Sequence, residues 1–471
     1  MNIFRKKSIE ALIASSQKNS FKKSLTAFDL IMIGIGCTIG TGIFVVTGTA
    51  SATHAGPAIA LSYLIGALAC LFAALAYAEI ASMVPVSGSA YTYTYAVIGE
   101  FVAWLVGWGL VLEYGIGASA VANGWSGYMV GILHSAGISL PEMLTMPTSE
   151  GGIINLPATL IVLLIGSMLY VGTSQGVKFN RILVFVKLAV IFIFLVVAVP
   201  MIKPENYNNF MPFGFGGVMA GAAAIFYAYI GFDAVATTAE ECKNPKRDLP
   251  IGIIFSLGVC AILYATVALV LNGIVNFSTL NNPEPLARAL RDNGSNIGSA
   301  LVSTGAIAGI TSVLLVLLYG QSRIFFVMSR DGLLPKKLSS IHKKYNTPHI
   351  SVLLTTIGVA LVAGIFSLET LSEMTSIGTL FGFIVVALAV MILRVKQPNL
   401  KRSFKCPLVF VVGPLAVLSC GYLTFELLTR NWHYFLVWTL LGIFIYFCSF
   451  YLKVSSAVNH NNFIPTFFIQ L

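Results

Sequence analysis

Gly34-Ile35-Gly36-Cys37-Thr38-Ile39-Gly40-Thr41-Gly42-Ile43-Phe44 lies inside an apolar segment, residues 27–50. About 20 apolar residues suffice for a helix to cross a bilayer. Four glycines within nine residues make a poor uninterrupted helix, because glycine loses backbone entropy and leaves peptide groups bare. In hydrocarbon those bare groups survive only when buried in protein or beside a watery cavity. Half-helices with free ends at mid-membrane are how secondary transporters hold small charged solutes. From these residues alone a second reading stays open: small residues four apart also let two helices pack closely.

The rest of the chain extends the membrane reading. Of its 471 residues, 57% are hydrophobic and 10% charged, with a mean hydropathy of +0.87; an average soluble domain is about a quarter charged. Hydropathy predicts an all-α membrane protein with twelve transmembrane helices, near 27–50, 57–80, 99–132, 154–173, 179–200 and 214–238, then 249–276, 297–328, 350–367, 371–394, 407–429 and 432–453. With the N-terminus inside, 23 of the 28 Lys and Arg fall on the inner side and four outside (Lys203, Arg288, Arg291, Arg430), leaving Lys187 in mid-span. That asymmetry places both termini in the cytoplasm and accounts for the net charge of +10 without any nucleic acid. The first 25 residues are polar and basic, with no cleavable signal peptide expected; they read as an amphipathic surface segment or a plain tail. The seven cysteines show no metal or disulfide spacing, so no metal site is expected.

A second break is expected in span six. Gly214, Gly216, Gly217 and Gly221 precede Ile225-Phe226-Tyr227-Ala228-Tyr229-Ile230-Gly231-Phe232-Asp233, an aromatic turn ending in a glycine and an acid within a membrane span. Span one enters from inside and span six from outside. Two broken helices, five spans apart and opposite in direction, are the pattern of inverted repeats sharing a midplane site. A half-helix N-terminus suits a carboxylate, and here its donors would be Thr38, Ile39, Gly40, Thr41 and Gly42.

Three charges stand out within the spans. Lys187 lies several turns from either surface, where an ammonium costs about 3 kcal/mol on insertion scales unless it faces the interior. Burial disfavours an amine's charged form, and gaining and losing a proton is what a coupling ion requires; snorkelling to the inner end is the alternative. Glu113, the only acid well inside span three, has a choice of roles: orienting an ammonium through water, balancing Lys187, completing a network, or structural pairing. Glu79, at the inner end of span two before the hydroxyl-rich loop Pro85–Tyr93, is either a gate or a snorkelling end charge. Asp233 reads as a cap on the backbone after the second break. His54, His134, Glu369, Glu373 and Glu426 read as span ends or outer-loop residues without a role.

The Gly34–Phe44 stretch resembles the span-one signature of the amino acid–polyamine–organocation (APC) permeases. Phe226–Asp233 with Glu240-Glu241-Cys242-Lys243-Asn244-Pro245-Lys246-Arg247-Asp248-Leu249-Pro250 is similar to their span six and following loop, and Ser329-Arg330-Asp331-Gly332-Leu333-Leu334-Pro335 to their loop after span eight. The resemblance covers residues 20–450 and points to bacterial relatives of cationic amino acid transporters, hence to a bacterial inner membrane. It implies a LeuT-type fold of five plus five inverted repeats: a tail 1–25, repeats 26–200 and 201–400, two further helices 401–453, and a tail 454–471. It places carbonyls around Tyr227, Ala228 and Ile230 against a substrate ammonium, and puts Tyr227 where the branch has a phenylalanine. It matches Glu113 to a pocket glutamate. Carried over, the Lys187 amine takes the place of a coupling sodium ion, facing carbonyls near Ile35 and Gly36 and hydroxyls of Thr311 or Ser312.

The expectation is proton-coupled symport of L-amino acids by alternating access, with exchange of amino acids or polyamines as the alternative. No organic cofactor is expected; the partners are an amino acid, a proton and the bilayer, and a small membrane partner is left open. Spaced Ser/Lys pairs, paired intramembrane Asp and metal-binding His clusters are missing from the spans, which argues against an intramembrane enzyme. The apolar run Val313–Leu318 in span eight offers no acid to a guanidinium, which favours small neutral substrates such as alanine, while Glu113 keeps basic ones open.

Overall fold

The computed structural model describes residues 6–8, 23–84, 89–172 and 177–461. Pro85-Val86-Ser87-Gly88, most of the 1–25 tail and residues 462–471 lie outside the described residues. The described chain is helical throughout, with a lone parallel bridge between Leu25 and Cys242.

The first helix, α1 (Ala27–Thr38), starts on a reciprocal cap. The Asp29 N–H donates to the Thr26 hydroxyl, and the Thr26 N–H donates back to the Asp29 carboxylate at 3.0 Å. It stops because Ile39 turns extended (φ −75°, ψ 102°) just before Gly40. Helical structure resumes in α2, residues 42–55, where α-helical Thr47–Ala50 lies between π turns Gly42–Val46 and Ser51–Ala55. The predicted break of span one is therefore present, at Ile39–Gly40. Gly56 (φ +60°) and Pro57 end α2 and turn the chain into α3 (Ile59–Met83).

A short α4 (Ser89–Val97) leads to α5 (Glu100–Val111), which runs through a π turn at Leu112–Ile116 into α6 (Gly117–Ser135). Then come α7 (Leu156–Val171) and α8 (Val177–Ala198), which carries Lys187. The second predicted break follows α9 (Gly214–Ile225). A 3₁₀ turn, Phe226–Tyr229, gives way to extended Ile230 and then to Gly231 at φ +119°, before a long 3₁₀ stretch, Phe232–Glu241. The remaining helices are α10 (Pro245–Ile274), α11 (Pro285–Asp292), α12 (Asn296–Arg330), α13 (His349–Ile365), α14 (Leu368–Lys396) and α15 (Val409–Asn461), the last bent at non-helical Asn431.

Among the described residues, eight stretches are long and apolar enough to cross a membrane, and α1, α7 and α13 are shorter apolar helices. Eight differs from the predicted twelve for a physical reason. The count runs α2 into α3 across the Gly56 turn and treats α15 as one rod through Asn431, whereas hydropathy alone divides both; it also leaves out α7 and α13, which are 16 and 17 residues long.

The two broken segments sit at the centre. α10 packs on α3 and α1, α12 on α6 and α8, and α14 on α15. A backbone strap closes one end of the broken pair: the Leu25 N–H donates to Glu241 O at 3.0 Å and the Lys243 N–H to Leu25 O at 2.9 Å. At the same end the Lys7 ammonium pairs with Asp331 at 2.7 Å and lies over the Tyr95 ring, so this part of the predicted tail is docked on α4 and the loop after α12.

Glu79 does not snorkel. It is wholly buried and held by Arg394 through two hydrogen bonds (2.8 and 2.7 Å), by Arg402 at 3.1 Å and by the Cys406 N–H at 2.7 Å. The predicted end charge is thus a clamp joining α3 to α14 and the loop that follows it.

Candidate functional site

The two breaks touch. A Cβ at Gly42 would overlap the Ala228 backbone, and one at Gly231 would crowd the Cys37 backbone at 2.9 Å, so glycine alone permits both approaches. Ends of four half-helices therefore meet at one point. By position the first N–H groups of α2 have no intrahelical acceptor; the first bond recorded there runs from Phe44 N–H to Gly40 O at 3.3 Å. On the other side, extended Ile230 takes its carbonyl out of the helical ladder, while Tyr227 O accepts the Ile230 N–H at 3.3 Å.

A cavity opens at this junction. Thr38, Gly40, Thr41, Gly42, Glu113, Tyr227 and Ile230, all singled out in the sequence, line it. Ile39 and Ala228 do not; Ile39 is packed into the hydrophobic core and Ala228 is the surface on which Gly42 rests. The hydroxyls in the cavity differ in use. Thr38 Oγ1 donates to Gly34 O at 2.8 Å, whereas the buried Thr41 Oγ1 has no protein partner. The Tyr227 hydroxyl reaches across to Gly117 O at 3.3 Å, beside the π turn that carries Glu113. Glu113 is buried with its carboxyl within reach of the Thr379 hydroxyl. Asp233 is buried, and its Oδ1 has no hydrogen-bond partner among the described residues.

Lys187 is completely buried, which removes the snorkelling alternative, and its amine donates to Gly36 O at 2.6 Å. The neighbouring Ile35 carbonyl is taken by the Ile39 N–H at 2.9 Å. Thr311 and Ser312 spend their hydroxyl protons within α12, on Ile307 O and Gly309 O, and Thr311 Oγ1 also accepts from Trp125 Nε1 at 2.9 Å. No hydrogen bond joins either of them to Lys187 among the described residues, nor does an ion pair join Lys187 to Glu113. The amine thus contacts α1 from behind the cavity.

Several lining residues were not singled out in the sequence. Val121, Val313, Val316 and Leu317 form an apolar wall, and Cys37, Tyr114, Gly117, Gly231, Ala234 and, on α14, Thr375 complete the lining. The run Val313–Leu318 signalled an apolar face, but nothing in α14 marked Thr375. At the other side of the molecule His54, Glu369 and Glu373, which the sequence left without roles, have ligand atoms within 4.8 Å of one another. The Arg430 guanidinium occupies this cluster, 2.9 Å from His54 Nε2 and 3.4 Å from Glu373, and Asn431 donates to Glu373 as well. The cluster is an ion-paired latch tying the end of α2 to α14 and the bend of α15.

Comparison with known proteins fits this geometry. The amino acid permease family model matches residues 25–445. The chain belongs to the amino acid permease family. The permease is 48% identical to the branched-chain amino acid permease BcaP of Bacillus subtilis over 452 residues, covering 95% of this chain and 97% of the relative. It is 45% identical to the methylthioribose transporter of the same organism over 448 residues, 95% and 97% of the two chains. It is 38% identical to the vacuolar cationic amino acid transporter 4 of Arabidopsis thaliana over 408 residues, 84% of this chain and 68% of the relative. The permease is therefore a multi-pass membrane protein of the APC superfamily, a transporter rather than an enzyme, and both breaks, Lys187 and Glu113 fall inside the matched region.

Proposed function

We propose that the permease is a proton-coupled symporter that accumulates neutral L-amino acids with apolar side chains by alternating access. The observation that supports this most is the contact of a buried amine, Lys187, with the Gly36 carbonyl in the last turn of α1, immediately before the break that lines the cavity. The amine stands where a cation stabilises the carbonyl end of a helix, so a change in its protonation acts directly on the half-helix that forms the site. The scaffold in this reading is twelve spans, two five-span inverted repeats and two further helices, with both termini in the cytoplasm of a bacterial cell.

The amino acid's carboxylate lies on the open N–H groups at Gly40–Gly42 with the Thr41 hydroxyl, and its ammonium on carbonyls near Ala228 and Ile230, with Glu113 beyond. Its side chain faces Val121, Val313, Val316 and Leu317, where burying a leucine-sized group is worth about 1.5–3 kcal/mol. That wall favours a branched-chain substrate over both the alanine-sized and the basic ones considered from the sequence. A name among the relatives agrees, that of the branched-chain permease of Bacillus subtilis.

The test is uptake into proteoliposomes empty of amino acid. An inward proton gradient should drive accumulation of labelled leucine, competed by isoleucine and valine. Uptake that requires amino acid preloaded inside would make the permease an exchanger, and uptake of methylthioribose with no uptake of leucine would overturn the substrate class.

A further inference from the structure

The first turn of α10 carries Lys246 and Arg247 just after Pro245, both exposed, and no carboxylate pairs with either among the described residues. One turn further along, Ile251, Ile254 and Phe255 form an apolar wall, with Phe255 60% exposed. Phe404, from the loop between α14 and α15, faces them, and together they bound an open groove of about 470 Å³, a size typical of ligand clefts. The same loop presents exposed Lys401 and Lys405. The N-terminal end of α10 adds the positive end of its dipole.

Two unpaired cations at the end of a membrane helix, set directly above an apolar channel, match one chemistry. A free phosphate ester would use the cations and leave the apolar wall wet; a neutral lipid would use the wall and leave the cations without a counter-charge. Basic pockets between spanning helices are where anionic headgroups settle. We infer that this groove binds an anionic phospholipid, with its phosphate on Lys246 and Arg247 and an acyl chain along Ile251, Ile254 and Phe255.

The position gives the lipid a mechanical consequence. α10 packs on α1 at close quarters, where a Cβ on Gly252 would meet Leu30 Cβ at 2.7 Å. The facing loop is fixed to α3 by Glu79, through Arg402 and the Cys406 N–H, and by the Phe404 N–H on Ser82 Oγ at 3.3 Å. A lipid in the groove thus bridges the α1–α10 pair to the α3–α14 clamp, next to the half-helix that builds the solute site. This holds whichever solute the permease carries.

The test is lipid retention by the purified full-length protein, measured by native mass spectrometry after titration with phosphatidylglycerol or phosphatidylcholine. Phosphatidylglycerol should be retained in preference, and Lys246→Gln/Arg247→Gln should weaken its retention by roughly 30-fold, about fivefold per charge. A control pair in another exposed loop, Lys336→Gln/Lys337→Gln, should leave retention as in the parent, and the charge-keeping Lys246→Arg/Arg247→Lys should hold the lipid even if the glutamine pair folds poorly. Equal losses in both glutamine pairs, equal retention of the two lipids, or displacement of the lipid by glycerol 3-phosphate would each overturn the inference.

Discussion

The Lys187 amine and the Gly36 carbonyl are joined across 2.6 Å, which ties the middle of α8 to the last turn of α1. Gly36 is one residue before Cys37 and two before Thr38, both of which line the cavity. A lysine fully shielded from water and a half-built solute site therefore share one turn of helix. In the proposed symport, coupling between proton and solute would need no long relay, because the amine and the cavity lie on the same short segment.

The Thr41 hydroxyl, buried in the cavity lining, has no protein partner among the described residues. Thr41→Val should leave the empty protein as stable as the parent, since no existing hydrogen bond is lost. Affinity for the amino acid should fall by about 1 kcal/mol, roughly fivefold. Thermal-shift titration with leucine checks both; unchanged affinity would take the hydroxyl out of the site.

Gly42 rests on Ala228, so Gly42→Ala forces the two breaks apart. Overpacking of this kind costs about 1–3 kcal/mol, and initial uptake should drop by about tenfold or more because the misplaced groups are those of the site. Uptake at parental rates by Gly42→Ala would mean that the contact between the two breaks is incidental.

Glu79 is the carboxylate that Arg394 and Arg402 share inside the protein, with Arg402 itself only 3% exposed at its side chain. Glu79→Ala leaves these charges without their counter-ion, a loss of about 3–5 kcal/mol for a broken buried pair. A clear fall in the thermal unfolding midpoint is expected, and a midpoint equal to the parent's would contradict the clamp.

Leu317 forms part of the apolar wall. Leu317→Ala should reduce the preference for leucine over alanine by about tenfold, the scale on which missing methylenes discriminate in apolar pockets. Competition assays with the two amino acids measure it directly.

Both breaks were legible in the sequence because glycine clusters are conspicuous inside apolar spans, and Lys187 because a lone mid-span cation has few explanations. The fate of Glu79 was not legible: its partners lie more than 300 residues away, and a carboxylate at a helix end looks the same whether it meets water or two arginines. Thr375 stayed hidden for a related reason. The run Ser372-Glu373-Met374-Thr375-Ser376 shows no break, and the inward face of a helix buried nearly all round is set by packing rather than by periodicity. The Tyr227 hydroxyl, foreseen only as a departure from the family's phenylalanine, finds its acceptor at Gly117, beside the π turn of span three. The latch of His54, Glu373 and Arg430 likewise assembles from three segments distant in sequence.

The central claim is that Lys187 couples proton entry to amino acid entry. It is tested most directly by recording internal pH and labelled leucine together in the same proteoliposomes, for the parent and for Lys187→Ala. The account predicts that leucine uptake acidifies the parent vesicles, and that Lys187→Ala still exchanges leucine but neither acidifies the lumen nor accumulates substrate against its gradient. Acidification in step with leucine uptake by Lys187→Ala would contradict it.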